Sequence, residues 1–96
     1  MLEDLNAGTR LFEDALQAVR GDKTLERRVG LAQVSVDIVW IERHEELRAA
    51  AAERGQPFLG PDDPLAALDR IGQKFSLAST REFKKVRALL ASREER

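Results

Sequence analysis

The chain has 96 residues, 43% of them hydrophobic and 34% charged, with a formal net charge of -1 and no cysteine. That length suits one domain, and the composition is too apolar for the low-hydrophobicity, high-charge regime of disorder. Disulfides, thiolate metal sites and cysteine nucleophiles are excluded, and no overall field draws the chain to nucleic acid or to an anionic membrane. The opening MLEDLNAGTR carries acids where a secretory leader needs base, and no stretch nears the ~20 apolar residues of a membrane span, so neither is expected.

Leu5, Phe12, Leu16 and Val19 recur at seven-, four- and three-residue steps and predict a first helix over about 3–20. Gly21 suits a left-handed closure, and Asp22 or Thr24 can accept the free amides of a second helix. So short a turn implies two antiparallel helices packed on each other. The second helix is predicted over about 23–54. Leu25, Val29, Ala32, Val36 and Val39 make one apolar seam, with Trp40 beside it and Leu47 further on. At about 100° per residue, Leu31, Val34, Ile38 and Ile41 make a second seam on nearly the opposite side. A helix with two opposed apolar stripes is covered on both, so this one is expected at the centre of the fold. Val34, Val36, Ile38 and Trp40 also alternate as a strand would, but no second strand-like run exists to pair with them.

Gly55–Pro64 holds all three prolines and two of the six glycines, which predicts a loop over 55–62. Asp63 and Pro64 read as N-cap and first helical residue of a third helix, about 63–75, with Leu65, Leu68, Ile71 and Phe75 as its apolar set. Ser79 and Glu82 have capping-box spacing and open a fourth helix, about 80–94, which carries Phe83, Val86, Leu89 and Leu90. The final Arg93–Arg96 is expected to fray. The predicted fold is therefore one all-α domain over 1–96, a three-to-four-helix antiparallel bundle around a long central helix.

Candidate chemistry is sparse. His44 is the sole histidine; Glu45 and Asp37 are near it in sequence, but helical metal motifs need a second imidazole, and an edge-packed ring is the expected role. Asp37 lies in an apolar run, where burial demands a partner, and an ion pair with Arg10, Arg27 or Arg81 is expected. One carboxylate is only half of the pair that glycoside hydrolysis uses. Trp40 could stack on a sugar or a partner, yet its place beside the first seam favours the core. Residues 81–96 carry six basic and three acidic side chains, without the interleaved aromatics of a nucleic-acid surface, so nucleic acid is not expected as a partner. No phosphate loop, Ser-His-Asp set or zinc spacing occurs, and no cofactor is expected.

The stretch LFEDALQAVRGDKTLERRVGLAQVSVDIVWIE, Leu11–Glu42, resembles a segment near the C-terminus of large bacterial proteins of glycoside-hydrolase type, similar to α-glucuronidases and hexosaminidases. FEDALQAV, GD and RRVGLAQVSVDIVWIE carry the likeness, with FSLASTREF adding to it. The resemblance implies a helical tail that buttresses or follows a sugar-processing barrel, the catalytic carboxylates belonging to the barrel. The expected function is thus a non-catalytic accessory or self-association domain, with a stand-alone adaptor for another protein as the alternative. The expected contact surface is the second seam, Leu31, Val34, Ile38 and Ile41, meeting a second copy in a homodimer or a neighbouring domain.

Overall fold

The computed structural model describes residues 1–94, and the described residues are helical throughout their regular structure. In chain order the helices are α1 (Leu2–Ala18), α2 (Lys23–Glu42), α3 (His44–Arg54), α4 (Pro64–Lys74) and α5 (Arg81–Glu94). They fall into two units, Met1–Gly60 and Pro61–Arg96, the second described as far as residue 94. Of the predicted frayed end, Arg93 and Glu94 belong to α5, while Glu95 and Arg96 lie outside the described residues.

In the first unit α1 and α2 form a helical hairpin. The turn between them is fixed locally. Asp22 has an extended backbone, and its Oδ1 accepts from the amides of Thr24 and Leu25, both at 3.1 Å. The Gly21 amide donates to Glu26 Oε1 at 2.9 Å. Two of the first amides of α2, which no helical carbonyl can reach, are thereby satisfied.

The helix predicted as continuous over 23–54 is two helices, divided at Arg43, where φ is -107° and ψ 25°. The division is a kink and not a loop. The Arg43 amide still donates to the Val39 carbonyl at 3.0 Å, and the Leu47 amide to the Arg43 carbonyl at 2.9 Å. The Arg43 guanidinium is tied both to Glu46 and to the sulfur of Met1. These contacts pin the kink to the start of α1, and no glycine or proline marks it in the sequence. α3 then closes at Gly55, which takes the left-handed conformation, φ 63°, so that the Gln56 amide reaches the Ala51 carbonyl at 2.9 Å.

The core of the first unit is built from Leu2, Trp40, Leu47 and Ala51, with Leu5, Val36, Ala50, Phe58 and Leu59 packed against them. The inner face of α1 is therefore Leu2, Asn6 and Thr9, rotated from the predicted Leu5–Phe12–Leu16–Val19 face. Leu5, Phe12 and Val19 are half-buried and Leu16 is exposed. The rotation follows from Trp40, which takes a hydroxyl partner from α1.

In the second unit Asp63 caps α4 as expected, its Oδ1 accepting from the Ala66 amide at 3.1 Å with Pro64 in the first turn. The predicted cap of the last helix moves by one residue. Thr80, not Ser79, sits where its Oγ1 accepts from the Phe83 amide at 3.4 Å while donating to the Leu77 carbonyl at 2.7 Å. α4 and α5 pack together, with Leu68, Phe75, Phe83, Val86 and Leu90 buried and Leu89, predicted with them, turned to solvent. Arg87 on α5 grips Asp69 on α4 at 2.9 and 3.3 Å. Gly72 lets the turn between them close, since a side chain there would press on Ala78 at 3.2 Å.

That turn stores strain. Ser76 has φ 57°, a left-handed backbone adopted so that the Leu77 amide can reach the Gly72 carbonyl at 2.7 Å. A non-glycine residue there costs about 1 kcal/mol. Ser76→Gly is expected to stabilise the protein by about 0.5–1 kcal/mol, read as a raised urea midpoint at unchanged slope.

Candidate functional site

Trp40 is the centre of the best-defined side-chain cluster. It is only 1% exposed, and its indole N–H donates to Thr9 Oγ1 at 2.9 Å inside the core. Phe58, from the segment after α3, meets the indole edge to face, with centroids 5.1 Å apart at 81°. Gly60 lies against both rings: a Cβ there would come within 2.8 Å of each. His44 and Arg48, one turn apart on α3, complete the surroundings of Phe58. The His44 ring stands perpendicular to Phe58 at 5.3 Å, and the Arg48 guanidinium sits 5.2 Å from its centre. His44 is thus a half-buried, edge-packed ring, and Trp40 is core and cannot stack on a ligand from solution.

Asn6 ties the same segment down. Its Nδ2 donates to the Pro57 carbonyl at 3.0 Å, while its Oδ1 is buried with no partner among the described residues. Further out, Arg54 at the end of α3 holds Glu3 with both oxygens, at 3.0 and 3.2 Å. This polar lining of α1 was not legible as a functional or structural feature, because Asn6 and Thr9 fall between the apolar positions that periodicity selects. The signal that could have found them is Trp40 itself, since a buried indole N–H calls for an acceptor.

Asp37 does not make the expected ion pair. Burial pushes its carboxyl up to about 6 from its ordinary 3.8, and a hydrogen bond with Gln33, one turn back on the same strip of α2, opposes that rise. No arginine is among the groups that act on it, because Gln33 lies in reach at i-4 while Arg10, Arg27 and Arg81 do not engage it.

The second seam is covered unevenly. Ile41 is 0% and Ile38 7% exposed, Val34 is half-buried, and Leu31 is 41% exposed. Ile38 and Ile41 are therefore core positions in the single chain, which corrects the expectation of one uncovered strip of four; only the end that holds Leu31 and Val34 stays open to a partner. Apolar surface that periodicity placed inside is exposed elsewhere on the hairpin, at Leu11 (69%), Leu16 and Leu25. Among the described residues no group of three His, Asp or Glu side chains is placed to hold a metal ion, and no helix is long and apolar enough to cross a membrane. In the basic last helix Arg81, Lys84 and Lys85 are exposed, and Arg87 is engaged with Asp69.

Comparison with protein-family models, with curated proteins and with solved structures finds no match to the chain.

Two outcomes test this geometry. Gly60→Ala forces a methyl group onto the Trp40 and Phe58 rings, and a loss of about 1–3 kcal/mol is expected in chemical denaturation. The Asp37 carboxyl binds its proton more tightly in the folded chain than in the unfolded one. Between pH 4 and 6 the folded state therefore holds more protons, so the Asp37 contribution to stability falls as pH rises, and the penalty is fully present above 6. At about 1.4 kcal/mol per pH unit the ceiling is about 3 kcal/mol, and partial solvent access lowers it to about 1–2. Asp37→Asn, which keeps an amide for Gln33, should be more stable than the parent by that amount at pH 7.5 and by almost nothing at pH 4. An equal gain at both pH values would mean that the carboxyl is not desolvated.

Proposed function

We propose that the chain is a non-catalytic helical association domain, an accessory part of a carbohydrate-active protein that meets a second copy of itself. The single observation that carries this reading is the distribution of large aliphatic side chains. Leu11, Leu16 and Leu25, all beside the turn of the α1–α2 hairpin, are each at least 40% exposed, whereas Leu2, Trp40 and Leu47 toward its other end are buried. Soluble chains rarely leave such side chains clustered in water unless another surface covers them. The groups with the most chemical potential are otherwise occupied: Trp40 with Thr9, His44 with Phe58, Asp37 with Gln33.

The accessory role rests on the likeness of Leu11–Glu42 to the helical part of glycoside-hydrolase-type proteins, in which the sugar chemistry belongs to the barrel. With it goes a bundle arrangement in which residues 23–54 are the central element. The burial of Trp40 on one side and of Ile38 and Ile41 on the other supports that arrangement.

Sedimentation equilibrium of the 96-residue chain tests the reading. Twice the chain mass is expected at high micromolar concentration, dissociating on dilution. A single-chain mass throughout that range overturns self-association.

A further inference from the structure

The hairpin is finished at one end and bare at the other. At its open end α3 and the segment after it engage the first two turns of α1, where Arg54 holds Glu3 and Pro57 accepts from Asn6. Every large apolar residue of the core cluster, Leu2, Trp40 and Leu47, is at that end. Toward the Gly21 turn the pattern reverses. Leu11, Phe12, Ala15, Leu16 and Val19 occupy about 140° of the α1 surface, at about 100° per residue. Leu25, Val29 and Ala32 occupy a narrower strip of α2. Not one of these eight is buried; Leu11, Leu16, Leu25 and Ala32 are exposed outright.

The charges at the rim of this surface say what fits it. Asp14 stands three residues after Leu11 on the edge of the α1 strip, and Arg28 stands three residues after Leu25 on the edge of the α2 strip. Both are exposed, and neither makes an ion pair within the chain among the described residues. One edge of the apolar surface is thus acidic and the opposite edge basic. A surface of this kind is complementary to its own copy turned about a twofold axis parallel to the helices, because that rotation sets each edge against the opposite one, whereas an axis across the helices would set like edges together.

We propose that the turn-proximal half of the α1–α2 hairpin docks on the same half of a second copy, in a twofold antiparallel four-helix arrangement in which Asp14 faces Arg28 of the other copy. The proposal rests on the self-association reading above and names its surface. The four apolar helix strips form the centre of the contact, and the acid–base pair, made twice by symmetry, fixes its direction. Leu31 lies about 120° around α2 from Leu25 and stays outside the contact.

The test is a charge exchange between copies, with circular dichroism confirming that each variant is folded. Asp14→Arg and Arg28→Asp are exposed substitutions, and each is expected to raise the dimer dissociation constant about tenfold or more, since the like-charge contact is formed twice. An equimolar mixture of the two variants should recover association near that of the parent. In the mixed dimer both contacts are again between opposite charges, one of them with its sign reversed. Leu31→Glu should leave association unchanged. The proposal is overturned if both reversals associate as the parent does, if the mixture is no tighter than either variant alone, or if Leu31→Glu abolishes the dimer. Each of those results leaves a dimeric parent and so differs from a parent that is monomeric at all concentrations, which overturns the self-association reading itself.

Discussion

A buried tryptophan in a small helical unit brings a polar obligation with it. The Trp40 indole supplies more apolar surface than any other side chain in the first unit, but its N–H enters the interior too, and an N–H left without an acceptor there would cancel much of the gain. Thr9 meets that obligation, and the consequences spread outward. The inner face of α1 must carry a hydroxyl where an aliphatic residue would otherwise sit, so α1 is rotated to bring Leu2, Asn6 and Thr9 inward. The chain after α3 must pass over the indole closely enough for Phe58 to pack on its edge, which only Gly60 permits. Asn6 then fastens that segment through Pro57, and the position of α3 follows. Fixing one ring fixes the base of the hairpin.

What was legible in the sequence is what is decided within a few residues. The Asp63–Pro64 helix start is read correctly, and Asp22 is one of the two caps expected for α2, because a cap acts on its immediate neighbours; the helix end before Gly55 is read from the proline- and glycine-rich run that follows it. The all-helical class follows from periodicity in the same way. The kink at Arg43 was not legible, since it is held by Glu46 and by Met1, a residue 42 positions away. The change of cap from Ser79 to Thr80 has a similar origin: Thr80 can also donate to Leu77, so the turn that Ser76 and Gly72 shape selects it over its neighbour. The inner face of α1 was misread because counting apolar residues assigns Asn6 and Thr9 to solvent, and only the need of Trp40 reverses that. The second seam was read correctly as apolar but not in its exposure, which grades from Leu31 to Ile41 along one stripe. Periodicity reports which residues share a side of a helix and carries nothing about how far a neighbour reaches along it.

Asp37 shows the same limit in electrostatics. An acid within an apolar run suggests an ion pair, but long-range pairs require the partner helix to present a cation at the right height, whereas Gln33 is placed by the helix itself. The local solution leaves the carboxyl partly desolvated, with its proton affinity raised. A chain that tolerates this cost at one position, and left-handed strain at Ser76 at another, is not optimised throughout for stability.

A small chain has little interior to hide its aliphatic residues in, because the fraction of surface buried on folding falls with size. That constraint alone would scatter exposed leucines over the molecule. It accounts for Leu31 and Leu89, but not for Leu11, Leu16 and Leu25 standing together at the end of the hairpin away from the buried Leu2, Trp40 and Leu47, nor for an acid and a base at their border that ignore each other within the chain. Apolar area supplies most of the driving force for contact but has no direction, and a helical hairpin could otherwise pair in several offsets of similar energy. Exposed ion pairs supply little affinity, about 1 kcal/mol or less each, yet they penalise any alignment that sets like charges together. Asp14 and Arg28 are suited to that second task, the choice among alignments, while Leu11, Leu16 and Leu25 are suited to the first.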